Sequence, residues 1–110
     1  MSRYLVKKAI NLQPLQEGDY PQPLAFIVPD VLDMSGKEAI FVAEYDDHTE
    51  LFTKQSALGE ITVDGQSIIV NLLENDTKDK AGVYHWYLKV TDNDELITIG
   101  YGKIQINKLT

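Results

Sequence analysis

The stretch AGVYHWYLKV, residues 81–90, decides the fold of this chain, because it sets three aromatic rings and an imidazole side by side. Side chains of a β-strand alternate between its two faces. One face would carry Tyr84, Trp86, Leu88 and Val90, and the other Val83, His85, Tyr87 and Lys89. The first set is apolar and the second is mixed, which is typical of a half-buried strand. We therefore predict that the first face belongs to a hydrophobic core and that only the second can bind a partner.

The rest of the sequence repeats this alternation, and no window of about a dozen residues keeps the spacing of an amphipathic helix. Strands are predicted at 3–12, 24–28, 37–45, 50–55, 60–63, 67–73, 83–90 and 96–107. Turn signals separate them, among them DDHT at 46–49 and Asp64-Gly65. This pattern predicts an all-β protein, an immunoglobulin-like β-sandwich of about 7–9 antiparallel strands, with a small barrel as the alternative.

The connections follow from local composition, and residues 1–110 are expected to form a single domain. Segment 13–29 is predicted to be a proline-rich loop followed by a short strand, because its prolines and Gly18 disfavour a central strand. Segment 74–82 should cross between the sheets as a loop or a single helical turn. The apolar phase of the last strand slips, which predicts a β-bulge near Gly102 and Lys103 or a change of sheet there.

Residues 82–88 also fit the structural corner of an immunoglobulin-like domain. Such domains place a tyrosine near the start of the penultimate strand, where its hydroxyl ties down the preceding turn. Tyr84, two residues after Gly82, matches that tyrosine. Trp86 takes the inward position that a disulfide cysteine occupies in antibody domains, and Leu88 follows on the same face. We expect these four residues to be structural.

Composition excludes several classes of function. Ten basic against seventeen acidic side chains give a net charge of −7, which repels nucleic acid. The sequence has no apolar run of the roughly 20 residues that a membrane span needs. Absence of cysteine fits a reducing compartment, and residues 1–10 lack the apolar centre of a secretory signal. We therefore expect a protein that is made and kept in the cytoplasm or released by lysis.

Candidate chemistry is sparse, and the sequence predicts no catalytic, cofactor-binding or metal-binding residue. His85 has no further ligand at metal spacing on its strand, and His48 lies among acids that are ordinary in a hairpin turn. The segment DNDE, residues 92–95, lacks the third ligand and the glycine of a helix-loop-helix calcium site. A looser calcium site, made by Asp92, Asp94 and the acids of 74–79, stays open as an alternative.

The order of several short motifs resembles a phage family. The segments LDMSGKEAIFVAEY, GEITVDGQSIIVNLLENDT and KAGVYHWYLKVTDNDELITIGYGKIQI resemble the immunoglobulin-like N-terminal domain of the upper baseplate protein over about residues 30–107. The residues that carry this resemblance are Asp33, Ser35 and Gly36 in a turn, and Asp76, Thr77, Gly82, Tyr84 and Trp86 in the crossover and its strand.

The resemblance implies a function without catalysis. It predicts a structural protein of a bacteriophage or prophage virion, assembled in the cytoplasm of the bacterial host, that docks onto other virion proteins from the baseplate, tail or head surface. It also implies a homo-oligomer, a trimer or a hexamer. No enzymatic residue is carried over by it.

Interface candidates are the exposed aromatic and apolar residues of the last two strands. Val83, His85 and Tyr87 form one outward row, and Tyr101 is the further candidate because tyrosine is frequent in protein contacts. The alternative function is a small carbohydrate-binding sandwich that would use exposed aromatics such as Tyr87 or Tyr101 on a host-surface glycan. A third alternative, a small enzyme, would need acids or a histidine converging in a pocket.

Overall fold

The computed structural model describes residues 3–5, 14–18, 22–28, 37–92 and 95–108. Its strands are β1 Arg3–Leu5, β2 Leu15–Gln16, β3 Gln22–Ile27, β4 Ala39–Glu44, β5 Glu50–Gln55, β6 Ile61–Asp64, β7 Ser67–Leu72, β8 Gly82–Asp92 and β9 Glu95–Asn107. Two short helical turns complete the described part, a 3₁₀ turn at Ser56–Leu58 and α1 at Glu74–Thr77. Neither has the length or the apolar content to cross a membrane.

The strands form two sheets that pack as a sandwich, ordered β1-β3-β7-β6 and β2-β9-β8-β4-β5. In this spatial order the first sheet corresponds to strands A-B-E-D of an immunoglobulin domain, and β9-β8-β4 of the second correspond to G-F-C, with β2 and β5 added at its two edges. The prediction of an all-β, immunoglobulin-like sandwich is confirmed. It was wrong in one respect, because β1 runs parallel to β3 and β2 runs parallel to β9. Neither pair is joined by a tight hairpin, so nothing forces antiparallel pairing there.

Three aromatic side chains from both sheets form the centre of the core. Trp86 of β8 lies 5.4 Å from the ring centroid of Phe26, on β3 of the opposite sheet. Phe41 of β4 stacks on the same indole at 5.6 Å and lies 6.0 Å from Phe26. Trp86 is 1% exposed, and Leu88 is fully buried beside it. The aromatic run of 84–87 therefore places only its even-numbered members in the core.

The predicted hairpins are present. β4 and β5 pair around the turn at 46–49, and β6 and β7 pair around Gly65 and Gln66. Gly65 has φ 59°, a value that favours glycine, which explains why this turn was readable from sequence. α1 connects β7 in one sheet to β8 in the other, so of the two forms predicted for 74–82, a loop or a single helical turn, the helical turn is present at its start.

The proline-rich segment contains more strand than predicted. β2 lies inside the predicted loop 13–29, and β3 begins at Gln22 and includes Pro23. Pro23 lies opposite Asn71 of β7. The N–H of Asn71 donates to the carbonyl oxygen of Glu60, on the side of β7 that faces away from β3. The Pro23–Asn71 pair is therefore of the type without hydrogen bonds, and the missing proline N–H costs no bond to β7. Residues 6–12 of the predicted first strand lie outside the described residues, as do Gln13 and Pro29 of the predicted loop segment.

The β-bulge of the last strand lies earlier than predicted. Leu88 pairs with Gly100 but Lys89 pairs with Thr98, so Ile99 is the extra residue. The predicted position near Gly102 and Lys103 was wrong. Its basis was the assumption that Tyr101 faces inward with Ile97 and Ile99. Tyr101 instead lies opposite the outward Tyr87, and regular pairing continues through Gly102, which lies opposite Trp86.

The turn before β8 is held by a tyrosine hydroxyl. Tyr84 is buried, and its Oη donates a hydrogen bond to the carbonyl oxygen of Lys80 at 2.5 Å. Gly82 has φ 153°, and a Cβ atom there would lie 3.3 Å from that hydroxyl. The ring of Tyr45 packs edge-on against Tyr84, with centroids 5.2 Å apart. Glycine and tyrosine therefore act together in this corner, because the close approach of the hydroxyl needs a residue without a side chain.

We expect Tyr84→Phe to lower the free energy of unfolding by about 1 kcal/mol, because it leaves the Lys80 carbonyl without this donor while keeping the ring in place. Thermal and urea unfolding would measure the loss. Tyr101→Phe is the matched control, since Tyr101 is half-exposed, and it should change stability by much less. Equal losses in the two variants would contradict a special role for the corner.

A buried lysine closes one side of the sandwich. Lys54 of β5 is 5% exposed, and its Nζ lies 2.8 Å from Oδ2 of Asp76 in α1 and 3.6 Å from Oε2 of Glu60. Both carboxylates are fixed in turn by the backbone, because Asp76 accepts the N–H of Leu73 at 2.6 Å and Glu60 accepts that of Gln55 at 3.2 Å. This network joins β5, the start of β6 and the crossover at the point where the two sheets end.

Removing only the lysine should be costly, since it leaves two partly buried carboxylates without their cation. We expect Lys54→Met to lower the free energy of unfolding by about 3 kcal/mol. Lys54→Met combined with Asp76→Asn should recover part of that loss, and Lys108→Met is a surface control at an exposed position. Urea unfolding of the wild type, the two single variants and the double variant measures the coupling. A double variant less stable than the sum of the two single changes would contradict the proposed pairing.

Candidate functional site

The candidate site is the outward surface of the five-stranded sheet, here called the outer face. Strand pairing fixes three rows across β5, β4, β8 and β9. The charged row is Glu50, Glu44, His85 and Lys103; the tyrosine row is Thr53, Val42, Tyr87 and Tyr101; the third row is Gln55, Ile40, Lys89 and Thr98. These residues lie together because the odd-numbered side chains of β8 must point outward when Trp86 and Leu88 point inward.

The structure brings all four interface candidates to this face. His85 and Tyr87 lie in adjacent rows on β8, and Val83 precedes them on the same strand. Tyr101 lies directly across from Tyr87 on β9. Val83 is 56% exposed, Tyr101 49%, and the His85 side chain 43%. Whether any of them contacts a partner remains a prediction.

The remaining predicted residues lie away from this face. Tyr84, Trp86 and Leu88 point into the core, and Gly82 lies in the corner. Trp86 cannot serve as a stacking platform for a ligand, because its indole is enclosed between the sheets. Its Nε1 finds no hydrogen-bond acceptor among the described residues, which fits a side chain that serves packing rather than polar contact.

Tyr87 is held in place by two neighbours. Its hydroxyl donates a hydrogen bond to Oε2 of Glu44 at 3.0 Å, and Nζ of Lys89 lies 4.9 Å from the centroid of its ring. Partial burial, this hydrogen bond and the negative charges of Glu44 and Glu50 raise the pKa of the Tyr87 phenol. One ring face is therefore covered by an ammonium group, which leaves less of Tyr87 for stacking on a sugar.

Both histidines lie beside the β4–β5 hairpin. Nε2 of His85 is 2.8 Å from Oδ1 of Asp46, and Nδ1 of His48 is 3.6 Å from Oε1 of Glu44. Asp47 accepts the N–H of Thr49 at 2.9 Å, and hydrogen bonding to Thr49 lowers the pKa of the Asp47 carboxyl. These contacts are turn and surface interactions, and no three potential metal ligands come together in the described part of the chain.

The alternative sites have less structural support. Asp94 and the side chain of Asp92, which the calcium alternative needs, lie outside the described residues. A shallow depression beside α1 is lined by Glu17, Gly18, Glu74, Lys78 and Asp79. It contains none of the aromatic candidates, so it does not provide the concave aromatic surface expected of a sugar-binding module.

Sequence reasoning missed the residues that β4, β5 and β9 contribute. Ile40 and Val42 looked like interruptions of an alternating strand, although they lie on the outer face beside Lys89 and Tyr87. Glu50 and Lys103 gave no local signal at all. Their place at opposite ends of one row depends on the register of three strand pairs, including the bulges at Leu51 and Ile99.

Comparison with known proteins adds a distant structural likeness. No protein-family model matches the sequence, and no curated protein matches it. Among solved structures, the crystal structure of the CupB6 tip adhesin from Pseudomonas aeruginosa is similar, with a TM-score of 0.41 and 10% identity. The alignment covers 98% of this chain and 42% of the adhesin, so the chain spans less than half of that protein. At this level the likeness says nothing about function.

The raised pKa of Tyr87 predicts a pH effect. Because folding favours the protonated phenol, the associated stability is present below about pH 10 and is lost as pH rises through the folded pKa. Tyr87→Phe should therefore lose less stability than the wild type as the pH is raised above about 10, measured by urea unfolding. Tyr101→Phe is the control for removing one phenol. Identical pH dependence in the wild type and Tyr87→Phe would contradict the prediction.

Proposed function

We propose that this chain is a non-enzymatic structural protein of a bacteriophage or prophage virion, an adaptor in the baseplate, tail or head surface. It acts by protein–protein docking through the outer face. The observation that carries the proposal is the tyrosine row, in which half-exposed Tyr101 lies beside Tyr87 on a regular four-stranded surface. Tyrosine is enriched in protein interfaces because it supplies a large, rigid contact area.

The contacts within the outer face favour docking over catalysis. Tyr87 is tied to Glu44, and His85 to Asp46, so these side chains are already ordered before a partner arrives. Ordering side chains in advance lowers the entropic cost of association. A hydrolytic site of the triad type would also need a hydroxyl or thiol nucleophile beside the imidazole, and the charged row places only carboxylates and an ammonium group in line with His85. A docking surface is therefore the use that suits this arrangement best.

The virion assignment rests on the resemblance of residues 30–107 to the upper baseplate domain. Several of the residues on which the resemblance depends stabilise this fold. Thr77 is buried, Asp76 forms an ion pair with Lys54, and the Tyr84 hydroxyl binds the turn next to Gly82. The turn residues of the resemblance lie outside the described residues, namely Asp33, Ser35 and Gly36. Motif residues of this kind support a shared scaffold, and none of them is a catalytic group. We infer partners among other virion proteins and a trimeric or hexameric assembly.

Incorporation into particles tests this proposal. The gene would be deleted from the host that carries it and supplied in trans, and purified particles would be analysed by mass spectrometry. We expect the wild-type chain in the particles and at least about tenfold less of Tyr101→Lys, because a charge replaces a central aromatic contact. Thr62→Lys is the matched control, since exposed Thr62 lies on β6 of the other sheet and its variant should incorporate normally.

Two results would overturn the proposal. One is a chain that is absent from purified particles although it is expressed and folded. The other is a monomer that binds glycans and loses this binding in Tyr101→Ala, which would favour the carbohydrate-binding alternative.

A further inference from the structure

The outer face is complementary to itself. A two-fold axis that runs parallel to the strands, between β4 and β8, would place a second copy face to face with the first. This rotation sets β9 of one copy over β5 of the other, and β8 over β4, while each row stays opposite the same row of the partner. Packed sheets lie about 10 Å apart with strands within about 30° of parallel, so opposite rows remain within side-chain reach near the axis.

The charged row changes sign across this axis. It begins with Glu50 and Glu44 on β5 and β4 and ends with His85 and Lys103 on β8 and β9. In the two-fold arrangement Lys103 faces Glu50 of the other copy, and His85 faces Glu44. Lys103 makes no ion pair with any residue in the described ranges, so its ammonium group can pair with a carboxylate of a partner.

The side chains of the tyrosine row differ in size on the two sides of the same axis. Thr53 and Val42 are short side chains on β5 and β4, whereas Tyr87 and Tyr101 are large ones on β8 and β9. The rotation places Tyr87 over Val42 and Tyr101 over Thr53, so large side chains meet small ones in both halves. Charge and size are thus complementary about one axis, and a single isologous contact satisfies both.

We propose that the occupant of the outer face is a second copy of this chain, related by that two-fold axis. The inference rests on the proposed docking function and names its partner. It is compatible with a hexamer, because dihedral hexamers contain two-fold axes. The three rows cover about four strands, roughly 20 Å, by a similar length along the strands, so the face is on the order of 400 Å² and falls below the about 800 Å² per partner of standard interfaces. Together with the net charge of −7, this predicts a dimer that dissociates in the micromolar range.

A charge exchange between two variants tests the arrangement. Lys103→Glu should bring two carboxylates together at each contact with Glu50, and Glu50→Lys should bring two ammonium groups together there. Each variant alone should therefore dimerise at least about tenfold more weakly. An equimolar mixture should regain dimerisation through the mixed dimer, because one chain then carries carboxylates at both positions and the other carries ammonium groups at both.

 With the axis present, each contact of the mixed dimer joins a lysine to a glutamate, so the mixture should dimerise as well as the wild type. Analytical ultracentrifugation over the micromolar range would measure all three samples, with far-UV circular dichroism as a check on folding.

The control variant is Lys78→Glu, which makes the same change of charge at an exposed position beside α1 and should leave dimerisation unchanged. A wild-type chain that stays monomeric at the highest concentration would overturn the inference, and so would a mixture that fails to restore the dimer. Failure here is distinct from failure of the proposed function. A monomer that still enters particles keeps the virion role, whereas a dimer that never enters them keeps the two-fold contact alone.

Discussion

The packing of Trp86 between the two sheets is the constraint on which the rest of the structure depends. Its indole contacts Phe41 within its own sheet and Phe26 across the core, so one side chain fixes both the strand order around β8 and the distance between the layers. Folded domains are only marginally stable, and no cysteine is present here to add a covalent link. The cluster of Phe26, Phe41 and Trp86 takes the central position between the sheets that a disulfide has in antibody domains.

Everything on the outer face follows from the inward direction of Trp86. With Trp86 inside, His85 and Tyr87 must point outward, and the register of β9 then decides what stands beside them. The bulge at Ile99 is decisive here, because a one-residue slip exchanges the two faces of a strand. It turns Tyr101 outward next to Tyr87 and Lys103 outward next to His85, which assembles the surface that we propose for docking.

Polar groups complete the ends of the sandwich that the apolar core cannot cover. The Tyr84 hydroxyl holds the turn before β8, and Lys54 joins the crossover to the edges of both sheets. Both devices involve the segment between β7 and β8, which passes from one layer to the other and has little apolar surface of its own. The scaffold thereby keeps its strands rigid, which is what a flat docking surface requires.

The sequence by itself determined the fold class, the two hairpins, the helical crossover and the corner tyrosine, because each depends on alternation or turn chemistry within about ten residues. The interface candidates on β8 could also be predicted from the sequence, since alternation assigns residues 83–90 to the inner or the outer face without knowledge of the neighbouring strands. Only the tertiary structure decided the site of the bulge, the parallel pairing of β1 with β3 and of β2 with β9, the place of Pro23, the partners of Lys54 and the opposite ends of one row at which Glu50 and Lys103 lie. These features depend on register between strands that are distant in the chain, and a local pattern contains no information about that register.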